Sequence, residues 1–375
     1  MASRSALALA TNCVQNILFR DAFTISRVLT CYQPVRYRKR SKGNPSWFVN
    51  NKVLSVNKDD LTPENQQFIK DLTKQVYKDR QSPLKDEPLE RGVWETKTRR
   101  TGVLAIKLGV LPQWRKDGTK VLTTLLQVVD NHVIRYTPPE EFVKSAGWKP
   151  WWGNGFGSVV VGTLSCEPHL FTKEYNNLFL EAGVPPKRKL TRFLVTPNAA
   201  IQPGTPLTAM HFRVGDYVDC QAKTVDHGFQ GVIKRWGMRG GRGHGTTKWH
   251  RRIGGIGGGD AKSGIWKGKR MPGHMGADWK HARGLKIVRM NTKYNVLYVA
   301  GIIPGELHSY VRVMDTAYVK HRTVMKVPPP MPTFYPEDVK ELSEESFDKD
   351  LFQFTDQSIQ YPEEEEKKDK KEKKK

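Results

Sequence analysis

The residues best suited to chemistry cluster between Lys223 and Arg289. This stretch holds sixteen Lys or Arg against three acids, Asp226, Asp260 and Asp278, a net charge of +13. Seventeen glycines lie between Gly228 and Gly284, with four tryptophans (Trp236, Trp249, Trp266, Trp279) and five histidines (His227, His244, His250, His274, His281). Aliphatic residues are too few to bury a face, and glycine at this density disfavours both helix and strand. So many like charges repel one another unless an anion meets them. The composition predicts a segment that folds only against a polyanion. Lys and Arg would neutralise phosphates, Gly would let the backbone approach closely, and Trp and His would stack on bases. RNA suits it better than duplex DNA, because no recognition helix of major-groove size is readable.

The candidate RNA contacts fall in three groups along the stretch. The first comprises His227, Phe229, Lys234, Arg235, Trp236, Arg239 and Arg242. The second is His244, Lys248, His250, Arg251 and Arg252. Trp266, Lys267, Lys269, Arg270, Met271 and His274 form the third, read as a finger that inserts into a groove. Plainer readings stand beside these: loop histidines with no role, tryptophans packed on one another, and a charge run that is merely solvated. Arg239-Gly-Gly also fits a looser, disordered RNA-binding element.

Other chemistries find little support. His244, His250 and His274 lack cysteine partners and HExxH spacing, so no metal site is expected. Gly254 to Gly259 fits neither GxxxxGK(S/T) nor GxGxxG, so no nucleotide cofactor is expected. Nothing assembles a nucleophile, a base and an orienting acid; no catalytic residue, cofactor or small-molecule substrate is assigned.

The elements that must position this stretch come from the rest of the 375 residues. The whole chain carries a formal +24, a pI near 9.8 and a mean hydropathy of −0.59. Just over half of the charge excess sits in the one stretch, which points to nucleic acid first and an anionic membrane surface second. Cys13, Cys31, Cys166 and Cys220 have no CxxC spacing and suit a reducing compartment. No apolar run of about 18 residues is present, so no transmembrane helix is expected.

Residues 1–46 are basic and nearly acid-free, with Leu7, Leu9, Val14, Ile17 and Leu18 able to form an apolar stripe. That pattern suits a mitochondrial transit peptide; the alternative is a basic tail that touches RNA itself. In residues 47–100, Thr62-Pro63-Glu64 starts a helix that should run to about Arg80, followed by a charged linker. Val103–Leu108, Leu122–Val129 and His132–Tyr136 read as a three-strand meander, with Asp117-Gly118 at the first turn and Asp130-Asn131 at the second. Pro138 to Gly162 reads as a Gly/Pro-rich loop carrying Trp148, Trp151 and Trp152. Phe171–Ala182 reads as a short helix stopped by Gly183. Leu190–Val195, Leu207–Phe212, Tyr217–Val225, Lys286–Met290, Asn295–Val299 and His308–Val313 complete the strands. The chain is therefore mainly β, a barrel or sandwich over 101–326. It has an insertion at 138–189 and the basic extension, 223–289, set between two strands of one sheet. Residues 327–375 read as a Pro-rich, then acidic, then Lys-rich solvated tail.

Several of these runs, in this order, resemble the universal large-subunit ribosomal protein three family. They are Gly102-Val-Leu-Ala-Ile-Lys-Leu-Gly109 and His227-Gly-Phe-Gln-Gly-Val-Ile-Lys-Arg-Trp236. His244-Gly245 with His250-Arg251, Gly264-Ile-Trp-Lys-Gly-Lys-Arg-Met-Pro-Gly273 with Met275-Gly276, and Val299-Ala-Gly-Ile-Ile-Pro-Gly305 follow. The resemblance covers roughly Val103 to Asp315, and the N-terminus, linker and acidic tail resemble the mitochondrial branch. It implies a closed β-barrel of the translation-protein type. It also implies an extension that threads into large-subunit rRNA toward the peptidyl transferase centre, a role in subunit assembly, and no enzymatic activity. Its partners would be that rRNA and neighbouring large-subunit proteins, in the mitochondrial matrix. One departure stands out: bacterial members carry a glutamine, methylated in some, where this chain has His274. An RNA-modifying or processing factor that uses the basic arm to capture RNA is the alternative.

Overall fold

The computed structural model describes residues 62–78, 84, 87–146, 155–245, 248–258, 264–323, 327–338, 343–355 and 359. The transit-peptide expectation, Trp148, Trp151, Trp152 and the Lys-rich C-terminal end lie outside these residues.

The chain is mainly β. Helix α1 (Pro63–Lys78) starts where the cap signal places it, with Thr62 Oγ1 accepting from the Asn65 amide at 3.4 Å. Strands β1 (Val103–Trp114) and β2 (Lys120–Val128) form a hairpin, and the Asp117 carboxylate caps its turn at the Thr119 amide. β3 (Asn131–Thr137) does not continue that meander. The Val128 amide bonds to the Asn295 carbonyl, Asp130 turns the chain at a φ of 42°, and the Asn131 amide group donates to the Leu104 carbonyl. With these bonds the chain turns the corner, and β3 leaves β2 and joins a second sheet.

That second sheet has the order β5-β4-β3-β6, adding β4 (Gly157–Ser165), β5 (Lys187–Val195) and the short β6 (Pro206–Leu207). Two elements here depart from the expected loop and strand. Pro138 to Gly162 contains helix α2 (Pro139–Ala146) and the start of β4, whose Val159 and Val161 are buried in the core. The expected strand Leu207–Phe212 is mostly a 3-10 turn, Ala209–His211, because the buried His211 takes its bonds from Thr101 and Thr333 rather than from a ladder. Helix α3 (Lys173–Leu180) buries Tyr175 and Phe179, and Gly183 at a φ of 64° ends it.

The larger sheet takes in β7 (Tyr217–Lys223), β10 (Trp279–Asn291), β11 (Val296–Ala300), β12 (Tyr310–Asp315) and β13 (Glu345–Phe347). Its order is β11-β2-β1-β12-β7-β10-β13, and β10 pairs with β11 as well. Six of the strands are therefore linked in a ring of pairings. Val103, Leu126, Val218, Ile287, Leu297 and Val311 from this sheet meet Val133, Val159, Val161 and Phe193 from the other in one core. Full burial of each such side chain contributes roughly 1.5–3 kcal/mol. Lys107 Nζ, also buried, donates to the carbonyls of Ile303 and Gly305, which ties the first strand to the turn after β11.

The expected solvated tail is docked for part of its length. β13 pairs with β10, both Glu345 carboxylate oxygens accept from Arg289 Nη2, and Leu351 and Phe352 are buried. The acidic composition hid this because one carboxylate is matched to a strand arginine and the apolar contacts come from only a few residues.

Candidate nucleic-acid interface

The basic stretch is the excursion between two neighbouring strands. Lys223 of β7 pairs with Trp279 of β10, so the arm proper is 224–278, and 279–289 belong to the sheet although they are basic. Arg289, for example, lies between the rings of Tyr298 and Phe347 and binds Glu345.

The arm has a stem held by its own bonds, which differs from a segment that folds only on a polyanion. The Thr224 amide donates to Asp278, the His227 amide to Met275, and the Met275 amide back to Gly228 at 2.8 Å. β8 (Phe229–Gln230) then pairs with β9 (Gly273–His274), and α4 (Val232–Trp236) follows, closed by Gly237 at a φ of 68°. Across from that helix the Met271 carbonyl accepts from both Arg235, at 2.7 Å, and Trp236 Nε1, at 2.9 Å. Glycine makes this path possible at specific points. At Gly276 the φ is +97°, and a Cβ would stand 2.0 Å from the Val225 carbonyl oxygen. At Gly241 a Cβ would strike the ring of Trp249.

All eighteen candidate contacts fall on this arm. Arg235 and Met271 are half-buried, whereas the other sixteen are exposed. Phe229 is 76% exposed and Trp266 70%, so both rings present faces to solvent. The tryptophans divide. Trp236 is engaged locally, under the guanidiniums of Arg235 and Arg270, whereas Trp266 projects from the arm. Trp279 belongs to the sheet, beneath Arg312 at 4.7 Å. His274 sits in the stem opposite Phe229, with Nε2 3.1 Å from the Asp226 carboxylate, rather than at the distal end. The distal residues are those between α4 and Met271. The finger Trp266 to Arg270 is among them, with the Lys269 amide turned onto the Trp266 carbonyl.

This arrangement can bind a polyanion. Cations on an extended, exposed ribbon neutralise phosphates, and the exposed rings offer stacking faces. Among the described residues no His, Cys, Asp and Glu group is placed to hold a metal, and no helix is long and apolar enough to cross a membrane.

Sequence reasoning gave no role to the basic residues of the strands outside the stretch. In Lys187-Arg188-Lys189, Lys187 is fully buried, its Nζ bonded to the Asp130 carbonyl, His132 Nδ1 and Ser165 Oγ. Burial pushes its pKa down to about 8.

Comparison with known proteins agrees with this geometry. The profile of a family described as Ribosomal protein L3 matches residues 188–296, a span that includes the whole arm. The chain is similar to the large ribosomal subunit protein uL3m of Arabidopsis thaliana, at 33% identity over 251 residues, 66% of this chain and 73% of that protein. It is also similar to the large ribosomal subunit protein uL3 of Magnetococcus marinus, at 34% identity over 217 residues, 58% of this chain and 96% of that one.

Proposed function

The chain belongs to the ribosomal protein L3 family, and from that premise we propose that it is a structural constituent of the mitochondrial large ribosomal subunit. The observation that carries the reading is the arm: an exposed, cationic ribbon rooted between β7 and β10 of a rigid sheet. It binds large-subunit rRNA, reaches toward the peptidyl transferase centre, and supports subunit assembly alongside neighbouring ribosomal proteins. The six-strand ring of pairings supports the closed barrel of the translation-protein type. The name of the Arabidopsis relative and the acid-poor N-terminus support a transit peptide over 1–46 and a matrix location. The role is structural rather than enzymatic.

The geometry decides how to test the arm. Replacing Arg235 confounds charge with structure, because its guanidinium holds the Met271 carbonyl. Lys234, Lys248, Lys267 and Lys269 are exposed, so replacing them removes charge with little change in packing. Their fourfold Gln variant should enter the large subunit poorly in a sucrose gradient of mitochondrial lysate, while wild-type chain co-sediments until ribonuclease is added. Normal subunit incorporation of the variant would sink the reading of the arm.

A further inference from the structure

A second cluster of cations lies away from the arm, in a cavity of about 330 Å³ where the ring and the four-stranded sheet meet. Six arginines line it: Arg99, Arg100, Arg192, Arg283, Arg312 and Arg322. Only two acids do, Asp219 and Asp315, so six minus two leaves the lining at +4.

Both acids are already committed. Asp315 takes a bidentate bond from Arg100, at 2.6 and 2.8 Å, and Asp219 accepts from the amides of Gly284 and Ala317. Two of the arginines are structural. Arg100 also binds the carbonyls of His211 and Pro330, and Arg322 those of Thr96, Thr98 and Thr316.

Three others are held by ring faces. Arg99 lies over Phe156 at 4.9 Å, Arg192 over Phe142 at 5.1 Å, and Arg312 over Trp279 at 4.7 Å. A stacked guanidinium is fixed in plane while its N–H edge points outward, the geometry that grips a phosphate bidentately. Arg312 shows the deficit most clearly. Its Nε is buried and has no hydrogen-bond partner among the described residues, and its bond to Gln221 is long, at 3.4 Å. Burial lowers the pKa of Arg312, the cost of holding its cation away from water.

We propose that this cavity binds a phosphodiester group of the same RNA that the arm engages. The inference rests on the RNA reading of the arm and extends it to the sheet. The volume equals roughly ten waters, enough for a phosphate with part of its sugar. Position favours RNA over an acidic protein segment. Arg283 and His281 lie on β10, which leaves the arm at Asp278, so Arg283 is roughly 17 Å along the strand from the arm's foot.

The test uses the full chain and a transcript of the mitochondrial large-subunit rRNA, with affinity measured across salt concentrations. Each phosphate contact contributes about 0.7–0.9 to the slope of log affinity against log salt. Arg312→Gln and Arg283→Gln should each reduce that slope by about this amount and weaken binding roughly threefold at fixed salt. Arg283→Lys, which keeps the charge, should retain most of the slope. Arg312 also holds Trp279, so the exposed Arg283 keeps the test sound if the Arg312 variant is unstable. If the fourfold lysine variant of the arm loses slope while both arginine variants match wild type, the cavity proposal is overturned and the arm reading survives. If the wild-type chain binds the transcript without salt dependence, both fall. If the arginine variants lose only binding to a polyglutamate peptide, the cavity belongs to an acidic protein segment and the proposal is overturned.

Discussion

Gly276→Ala tests the idea that the arm is a built stem rather than a loose chain. The backbone at Gly276 has a φ of +97°, and holding a side-chain-bearing residue in such a conformation costs roughly 1–3 kcal/mol. The new methyl would also stand 2.0 Å from the Val225 carbonyl oxygen and 2.9 Å from Asp226 Cα. The two sides of the stem must therefore part by about 1 Å. That separation strains the His227–Met275 and Ala277–Thr224 backbone bonds on either side, at roughly 0.5–1.5 kcal/mol each. The local cost comes to roughly 2–6 kcal/mol. Even its lower bound is about a thirtyfold fall in the population of closed stem. The sheet core is remote from this site, so the thermal midpoint should stay near wild type. Amide hydrogen exchange read at His227 and Met275 should accelerate by at least that factor, and RNA affinity should fall with it. Unaltered exchange at those two amides would refute the stem.

Other expectations follow from the same structure. Trp266→Ala should weaken RNA binding by roughly 1–3 kcal/mol without changing stem exchange, whereas Trp236→Ala should change both, because Trp236 Nε1 holds the Met271 carbonyl; equal exchange in the two variants would contradict this division. His211 is wholly buried, its Nε2 donating to the Thr101 carbonyl and its Nδ1 accepting from Thr333, and burial pushes its pKa down to about 3. The unfolded chain therefore binds the extra proton between about pH 6.5 and 3, and folding stability should fall by roughly 4–5 kcal/mol across that window as pH drops. Asp216, raised to about 6 by burial, works in the opposite direction in part of it. The comparison is thus wild type against His211→Gln, whose denaturant midpoint should vary less with pH; parallel curves would count against the assignment. Truncation after residue 342 removes β13, the Lys286–Asp348 pair and the buried Leu351 and Phe352, and should cost roughly 3–6 kcal/mol from the two apolar side chains alone. An unchanged thermal midpoint would mean that this segment does not dock.

Much of the site was legible because charge and glycine content are local properties. The arm's place between two strands followed from strand signals on either side of it, and Tyr217 and Lys286 are in fact neighbours in the β7–β10 ladder. The cap at Thr62, the turn at Asp117-Gly118 and the stop at Gly183 were equally readable, since each depends on a few adjacent residues. The second sheet was not. Asp130-Asn131 carries the same turn signal whether the chain folds back on β2 or turns the corner. Only long-range bonds to Leu104 and Asn295 separate the two outcomes.

Taken alone, then, the sequence determined a basic, glycine-rich arm, the RNA chemistry it suits and a mainly β scaffold, because composition and short-range period carry that information. Tertiary structure alone decided that the arm has a closed stem, with Phe229 against His274 and Arg235 against Met271. It also decided that Lys187 turns inward and that residues 343–355 dock onto the sheet. It brought Arg99, Arg192, Arg283 and Arg312 from distant parts of the chain to one cavity. Such pairings join residues tens to hundreds of positions apart, and their energies depend on which acceptors and rings the fold leaves beside each cation.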